Sequence, residues 1–332
     1  LLKHAFEGKL TEQWRKDNSD ILESPEQILT RIKQEREERY QVRLDDWKTE
    51  IKQWEIDGEE GKKPAKPRKY VAPELHTDKE IDLLNQLPEE WKWGKLGSVF
   101  DVYVGATPSR KNLDYWQGDI PWVSSGEVAF TAITKTSELI TEKGLNNSST
   151  VLHPIGTVML AMIGEGKTRG QAAILEIEAA HNQNTSAIRV SETNFSSLIV
   201  YYYLMYQYEI TRKLGSGNNQ KALNKDRVSN MNIPLFCVQE QDELVKVIES
   251  NLVSISKIEK ELDLNLKRAD ILRQSILKKA FSGKLVEQDP KDEPASELLK
   301  KIAIEKSEFE VKEKAEKVAA RKTKAEANKA KA

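Results

Sequence analysis

The chain is poor in the residues that most often carry chemistry. It has one cysteine, Cys237, in 332 residues, so no internal disulfide is possible, and a reducing cytosolic setting suits it. Following Phe236, that cysteine reads as a small buried apolar residue rather than a catalytic thiol. Only four histidines are present, His4, His76, His153 and His181, and none has metal-ligand spacing to another His or Cys. No Ser-His-Asp order has supporting context, and the Asn-Pro-Pro-aromatic tetrad that holds a flipped adenine in DNA methyltransferases is absent. No apolar run approaches the roughly 18 residues of a membrane span, and nothing at the start resembles a signal segment. Apolar residues are 38% and charged residues 32%, with a net charge of −1. That balance calls for much solvated helix surface around one ordinary core. These absences leave no catalytic apparatus and no resident cofactor or metal in view.

What is present is a long uninterrupted helical pattern from about Glu240 to Leu285. Leu244, Ile248, Ile255, Ile258, Leu262, Ala269, Leu272 and Ile276 fall at steps of three and four on one heptad seam. So narrow a stripe needs a partner helix. Asn251 and Asn265 sit on the same seam. Either they are buried and fix register or partner choice, or a slight rotation exposes them and turns Leu252 and Leu266 inward.

The end of that helix is repeated at the start of the chain. Residues 276–288 and 1–13 are identical at nine of thirteen positions, and the likeness resumes between 27–32 and 297–302. Repeats usually build the same local unit. One globular insert therefore sits between two copies of one helix-terminal motif. Because the sequence opens with Leu1 inside a repeat, upstream sequence is expected.

Along the chain, residues 1–13 read as a helix end capped near Gly8. Ser24 and Pro25 read as the N-cap and first position of a second helix, with a seam through Ile28, Ile32, Tyr40, Leu44, Trp47, Ile51 and Trp54, stopped by Asp57-Gly58. This gives a helical segment over 1–57. Residues 58–87 read as a linker whose basic, Pro-spaced run at 61–69 favours extended chain. In 88–236 charge falls and Gly, Ser, Thr and Asn rise. Strands are expected at 98–104, 120–123, 157–161 and 186–190, with helices at 196–214 and 225–231. A spacer helix fills 237–289. A docking helix and charged tail, exposed helix or disorder, fill 290–332. The expected fold class is α+β: one mixed α/β globular domain flanked by long coiled-coil-forming helices.

The insert holds 14 Lys+Arg and 14 Asp+Glu, but seven of the cations lie in three Gly/Ser/Asn-rich segments, 105–112, 164–171 and 215–227. Cations and backbone amides hold phosphates, while Asn, Gln, Arg and Lys can read base edges. Arg110, Lys111, Lys167, Arg169, Lys221 and Lys225 are the candidate cations. Thr107, Ser109, Asn218, Asn219, Gln220 and Asn224 are the candidate hydrogen-bonding readers. Trp116, Pro121 and Trp122 read as packing residues rather than base-stacking ones. The run Ala161–Thr168 matches a relaxed phosphate-loop pattern. It lacks the first glycine, and Arg169-Gly170 stand where a helix should open, so a basic surface loop is the better reading than ATP binding.

At these residues the chain resembles the specificity subunit of type I restriction–modification systems. The resemblance rests on Leu87-Pro88-Glu89-Glu90-Trp91-Lys92-Trp93, Leu96-Gly97, Gly105-x-Thr107-Pro108-Ser109, Tyr115-Trp116-x-Gly118-Asp119-Ile120-Pro121-Trp122 and Asn182-Gln183. It continues through Gly215-Ser216-Gly217 to Leu223-Asn224, Asn232-Ile233-Pro234-Leu235 with Glu240-Gln241, and Leu272 to Leu285. It implies a cytoplasmic DNA-recognition subunit that is not itself catalytic. Two target-recognition domains each read half of a split site in double-stranded DNA, and two long helices pair antiparallel. The repeats dock two methylation subunits, which use S-adenosylmethionine, and restriction subunits join with ATP and Mg. Here only one recognition domain is present. The resemblance therefore implies either the C-terminal half of a longer subunit or a half-length subunit that pairs with a second copy. Two other classes stand beside it: a nucleotide hydrolase built on Gly166-Lys167-Thr168, and a coiled-coil adaptor whose middle domain binds protein.

Overall fold

The computed structural model describes residues 1–59, 63–164, 166–213, 223–287 and 289–329. They form two compact units, Leu1–Ile255 and Ser256–Ala332.

The first unit opens with α1 (Leu2–Phe6) and α2 (Glu12–Asp17), then α3 (Pro25–Ile56) and α4 (Asp78–Ile81). β1 (Lys92–Lys95), α5 (Leu96–Val99), β2 (Val102–Val104), β3 (Trp116–Val123), β4 (Ala132–Ile133), β5 (Glu138–Ile140) and α6 (Glu142–Asn146) follow. Next come β6 (Val158–Ala161), β7 (Ala172–Leu175), β8 (Ala180–His181), β9 (Thr185–Ile188), α7 (Ser197–Tyr206), α8 (Tyr208–Lys213), α9 (Lys225–Ser229) and β10 (Asn232–Leu235). A helix of 44 residues, α10 (Val238–Phe281), begins in this unit, and α11 (Ala295–Lys329) lies in the second. Among the described residues no helix is long and apolar enough to cross a membrane.

The strands form a five-stranded sheet in the order β2-β9-β6-β7-β4, a three-stranded sheet β5-β3-β8, and a ribbon β1-β10. The ribbon pairs Lys92 with Leu235 and Lys95 with Asn232, so the two ends of the domain lie side by side. Pro234 suits a ribbon strand with a free edge. α7 is apolar on every side, and it packs on β6 and β7 with α1 beside it. A helix with no polar face belongs inside a core. Ile199, Val200 and Leu204 accordingly join Leu96, Val99, Phe100, Leu160, Ile188 and Phe236 in one cluster.

Two expectations need correction. Residues 98–104 do not form one strand. Leu96–Val99 make a helical turn, because the Ser98 hydroxyl donates to the Lys95 carbonyl and accepts from the Lys95 N–H while Leu96 and Val99 enter the core. The helix expected at 196–214 is interrupted at Gln207, between α7 and α8.

The N-terminal repeat copy is part of the core. Gly8 has φ +71°, and the Gly8 and Lys9 N–H groups bond the carbonyls of Ala5 and His4. Gly283 has φ +67°, and Gly283 and Lys284 bond Ala280 and Lys279 in the same pattern. Each is a Schellman-type helix end that a left-handed glycine permits. Ser24 and Gln27 form a reciprocal capping box at the start of α3. Yet Ala5, Phe6, Ile28, Leu29 and Ile32 of the first copy are buried, with Phe6 3% exposed. In the second copy Phe281 is 90% exposed, and Leu298, Leu299 and Ile302 are exposed too.

Beyond Ile32 the buried face of α3 turns cationic. Arg36 donates to Asp101 and to the Gly97 and Ser98 carbonyls, Arg39 to the Glu192 carbonyl, and Arg43 to the Tyr103 hydroxyl. The basic stretch after α3 folds back along its aromatic stripe. Lys63, Lys66 and Lys69 stand over Trp54, Trp47 and Tyr40 at 5.2, 5.8 and 5.6 Å. Three extended residues advance about 9 Å and seven helical residues about 10 Å, so the two spacings nearly match. The stretch expected as a plain linker is, over 63–69, a strap on α3.

On the heptad seam, Leu244 and Ile248 are fully buried in the first unit's core. Ile255, Ile258, Leu262, Leu272 and Ile276 are exposed. Asn251 is exposed and donates to the Val247 carbonyl, and exposed Asn265 accepts from Arg268 at 3.5 Å.

Candidate nucleic-acid interface

The strand register brings the polar segments together. Val104 at the end of β2 pairs with Ser186, Ala161 at the end of β6 pairs with Thr185, and Leu160 pairs with Ala172 at the start of β7. The loops leaving β2 and β6 and the loops entering β7 and β9 therefore share one end of the five-stranded sheet. Leu223 joins them there, donating its N–H to the Met162 carbonyl, while the Met162 N–H bonds Asn184. All three Gly/Ser/Asn-rich segments thus reach or flank one edge.

The first segment is held rigidly. The Trp122 and Trp116 indoles donate to the carbonyls of Ala106 and Ser109 at 3.1 and 3.2 Å, and the Thr107 hydroxyl donates to Gln183 at 2.5 Å. Both tryptophans are packing residues in this cradle, and Trp122 is 2% exposed. The Ala106 N–H bonds the His181 carbonyl. A Cβ on Gly105 would lie 2.0 Å from that oxygen, so only glycine allows the approach. We expect Gly105→Ala to lower stability by about 1–3 kcal/mol through overpacking, measured as a shift in the urea midpoint at unchanged slope. An unshifted midpoint would mean that the loop is not seated this way. Ser109 and Lys111 are exposed. The Arg110 guanidinium lies 3.7 Å from the Trp116 ring centroid and forks onto Glu138 through both terminal nitrogens, Nη2 at 2.9 Å. Those hydrogen bonds hold the Glu138 carboxyl below the usual carboxylate range.

The second segment joins β6 to β7, which are antiparallel neighbours. A strand–loop–strand hairpin lacks the strand–loop–helix context a phosphate loop requires, so the nucleotide-hydrolase reading falls. Lys167 is exposed, and its carbonyl accepts from Tyr208. Arg169 donates to the Arg212 carbonyl and Arg212 to the Gly166 carbonyl, so these two arginines tie the hairpin to α8.

In the third segment Asn218, Asn219, Gln220 and Lys221 lie outside the described residues. The Asn224 side chain caps α9, accepting from the Arg227 N–H at 2.9 Å. Lys225 stands over the Tyr70 ring at 5.4 Å. Asn224 and Lys225 therefore already have occupations within the fold.

Sequence reasoning met Asn182-Gln183 only as part of the family resemblance and did not name the turn at 182–184, which sits centrally on this edge, as a reader. Asn182 Oδ1 accepts from the Asn184 N–H, and Gln183 holds Thr107. Nor did it foresee that two scattered histidines meet beneath the edge. His153 Nε2 lies 3.1 Å from His181 Nε2, Arg189 donates to His153 Nδ1 at 3.1 Å, and His181 Nδ1 lies 2.8 Å from the Thr185 hydroxyl. Burial, with the neighbouring His181 and Arg189, holds His153 down at about 2, and burial holds His181 at about 4. Both are therefore neutral at ordinary pH.

The match to a family model falls on this domain and the helix that leaves it. Residues 88–268 match the family model of the type I restriction modification DNA specificity domain. The EcoR124I/EcoR124II specificity subunit of Escherichia coli is 25% identical over 173 residues, covering 50% of this chain and 42% of that protein. The EcoAI specificity subunit of Escherichia coli is 26% identical over 362 aligned positions, covering 93% of this chain and 55% of that protein. The crystal structure of an HsdS subunit from Thermoanaerobacter tengcongensis aligns over 78% of this chain and 58% of its own length, at 20% identity and a TM-score of 0.45. The chain spans about half the length of the curated relatives it matches. With the family model covering more than half of its residues, the chain belongs to the type I restriction–modification DNA specificity family.

Proposed function

We propose that this chain reads one half of a bipartite site in double-stranded DNA for a cytoplasmic type I restriction–modification complex. The observation that carries the reading is the convergence of the cation- and amide-bearing segments on one end of one sheet, within the domain that matches the family. Exposed Lys111 and Lys167 supply phosphate contacts there, and Thr107, Ser109 and the turn at 182–184 supply hydrogen-bonding groups. The chain contributes no catalytic group. Methylation subunits bring S-adenosylmethionine, and restriction subunits bring ATP and Mg.

The exposed second repeat copy supports a matching partner. It has the same helix end and following helix as the first copy, and its apolar residues are uncovered where those of the first are buried. A second recognition domain, on the same polypeptide or on a second copy of the chain, offers the seat that this domain gives α1 and α3. The seam from Ile255 to Ile276 is the face left for the antiparallel helix and the docked methylation subunits.

Two readouts test the reading. In cells expressing the gene product that contains this chain with its methylation subunits, methylome mapping should yield a split adenine motif, with one half relaxed in Gln183→Ala. In vitro, log affinity for duplex DNA should fall linearly with log salt, and Lys111→Ala should lower the slope by about one. A protein with no salt-dependent DNA affinity and no split motif would not be a recognition subunit.

A further inference from the structure

Arg110 and Glu138 form a matched pair of hydrogen-bonding edges on the surface beside the first segment. Both are partly exposed, at 53% and 37% of their side chains. Both line an open cavity of about 510 Å³ with Gln117, Ser137 and Leu139. The guanidinium is clamped between the Trp116 ring at 3.7 Å and the Trp122 ring at 5.2 Å, and those rings meet edge to face. An arginine fixed by stacking and by a fork has little freedom left to lose on binding.

The strand that carries the tryptophans is distorted at this spot. Its pairing with β5 shifts register between Trp116 and Ile120, and Gln117 has φ +64°. A non-glycine residue in the left-handed region is strained. Such strain persists where the surroundings enforce it, typically at functional sites, and bulges re-aim side chains there.

A guanidinium has five N–H donors and a carboxylate has about four lone-pair sites. The fork uses two of each. Three donors remain on Arg110 and two acceptor sites on Glu138, side by side. The major-groove edge of a G·C pair offers the complement: two acceptors on guanine, N7 and O6, beside one donor on cytosine, N4. The pair is also neutral overall, so Glu138 brings no uncompensated charge towards the phosphates. Resting on the recognition role proposed above, we propose that Arg110 and Glu138 together read one G·C base pair of the half-site, Arg110 at guanine and Glu138 at the cytosine amino group.

Methylome mapping of the gene product containing this chain, as wild type, Glu138→Ala and Arg110→Lys, tests this. Glu138→Ala removes the acceptor. Arg110→Lys keeps the charge but loses the fork. Both should relax the same G·C position of one half-site, by about tenfold to a hundredfold in preference, and leave the other half-site and the spacer unchanged. An unchanged motif in both variants overturns the assignment, and so does relaxation at an A·T position. Loss of all methylation in both variants, with melting temperatures at the wild-type value, also overturns it, since a base reader should alter specificity before activity. If the wild type shows no split motif, the recognition role falls first and this assignment with it.

Discussion

Glu240→Ala should destabilise the first unit by about 3–5 kcal/mol, the cost of leaving a buried charge without its partner. Glu240 lies in the first turn of α10 and is 1% exposed. Its carboxylate accepts from Arg15 Nη1, from the Thr11 hydroxyl at 2.6 Å and from the Trp91 indole at 2.8 Å. Arg15 is 6% exposed, and its Nη2 donates to the Gly8 carbonyl at 2.7 Å. Without Glu240 the guanidinium keeps, among the described residues, only Glu90, at 3.5 Å and half exposed, as an anionic neighbour. Thr11 and Trp91 lose an acceptor in the interior as well.

Three distant stretches meet at this one carboxylate: the end of the first repeat copy, the opening of the domain that matches the family and the start of the long helix. The neighbouring Gln241 extends the joint, accepting from the Ser196 N–H and donating to the Phe236 carbonyl. Trp91 stacks on Phe236 at 3.9 Å. The joint fixes how α10 leaves the domain, so Glu240→Ala should also speed hydrogen exchange in the first turns of α10. The double variant Arg15→Met, Glu240→Leu should recover the part of the loss due to the unpaired guanidinium, because an apolar pair of similar size leaves no charge behind, while Thr11 and Trp91 stay without their acceptor. Urea unfolding of the single and double variants decides the matter. A loss below about 1 kcal/mol for Glu240→Ala would show that the network is not a structural joint.

Local signals carried a good part of the fold. Ser24-Pro25 announced the N-cap and first position of α3, and the repeat announced two identical helix ends. The β-rich runs at 120–123 and 157–161 fall on β3 and β6, and the run at 186–190 overlaps β9, which ends at Ile188. The residues that escaped notice act over long separations. Arg36, Arg39 and Arg43 look like a solvated helix face until Asp101 and Tyr103 arrive from the next domain. His153 and His181 are 28 residues apart and meet only because of the packing between strands. The composition of three loops nominated candidate readers, but their meeting depends on the register of β2, β6, β7 and β9, which no local pattern states. Two signals were available and unused. Asn224 three residues before Arg227 at a helix start is an N-cap arrangement. Aromatics every seven residues on α3 facing lysines every three is the spacing of the strap.

Acid should unfold this domain earlier than its carboxylates alone would dictate, through the histidine pair. The hydrogen-bond relay fixes both tautomers. Arg189 donates to His153 Nδ1, so His153 carries its proton on Nε2 and donates to His181 Nε2. His181 then carries its proton on Nδ1 and donates to Thr185, which donates to the Asn182 carbonyl. A second proton on either ring would set donor against donor. Native values of about 2 and about 4 lie below the unfolded value near 6.5, so the unfolded chain binds more protons as pH falls below 6.5. The stability due to neutral histidines is complete above pH 6.5. It falls by about 1.4 kcal/mol per pH unit for each histidine as acid is added, down to about pH 4 for His181 and lower for His153. Between pH 6.5 and 5 the two should together cost about 3 kcal/mol, in a window where carboxylates still titrate little. His153→Gln and His181→Gln should each remove about half of that slope, whatever they do to stability at pH 7. Equal slopes in wild type and both variants would show that the histidines are not held neutral. The His181 carbonyl also seats the first segment through Ala106, so the DNA binding proposed for this domain should weaken over the same pH range in which the domain loosens.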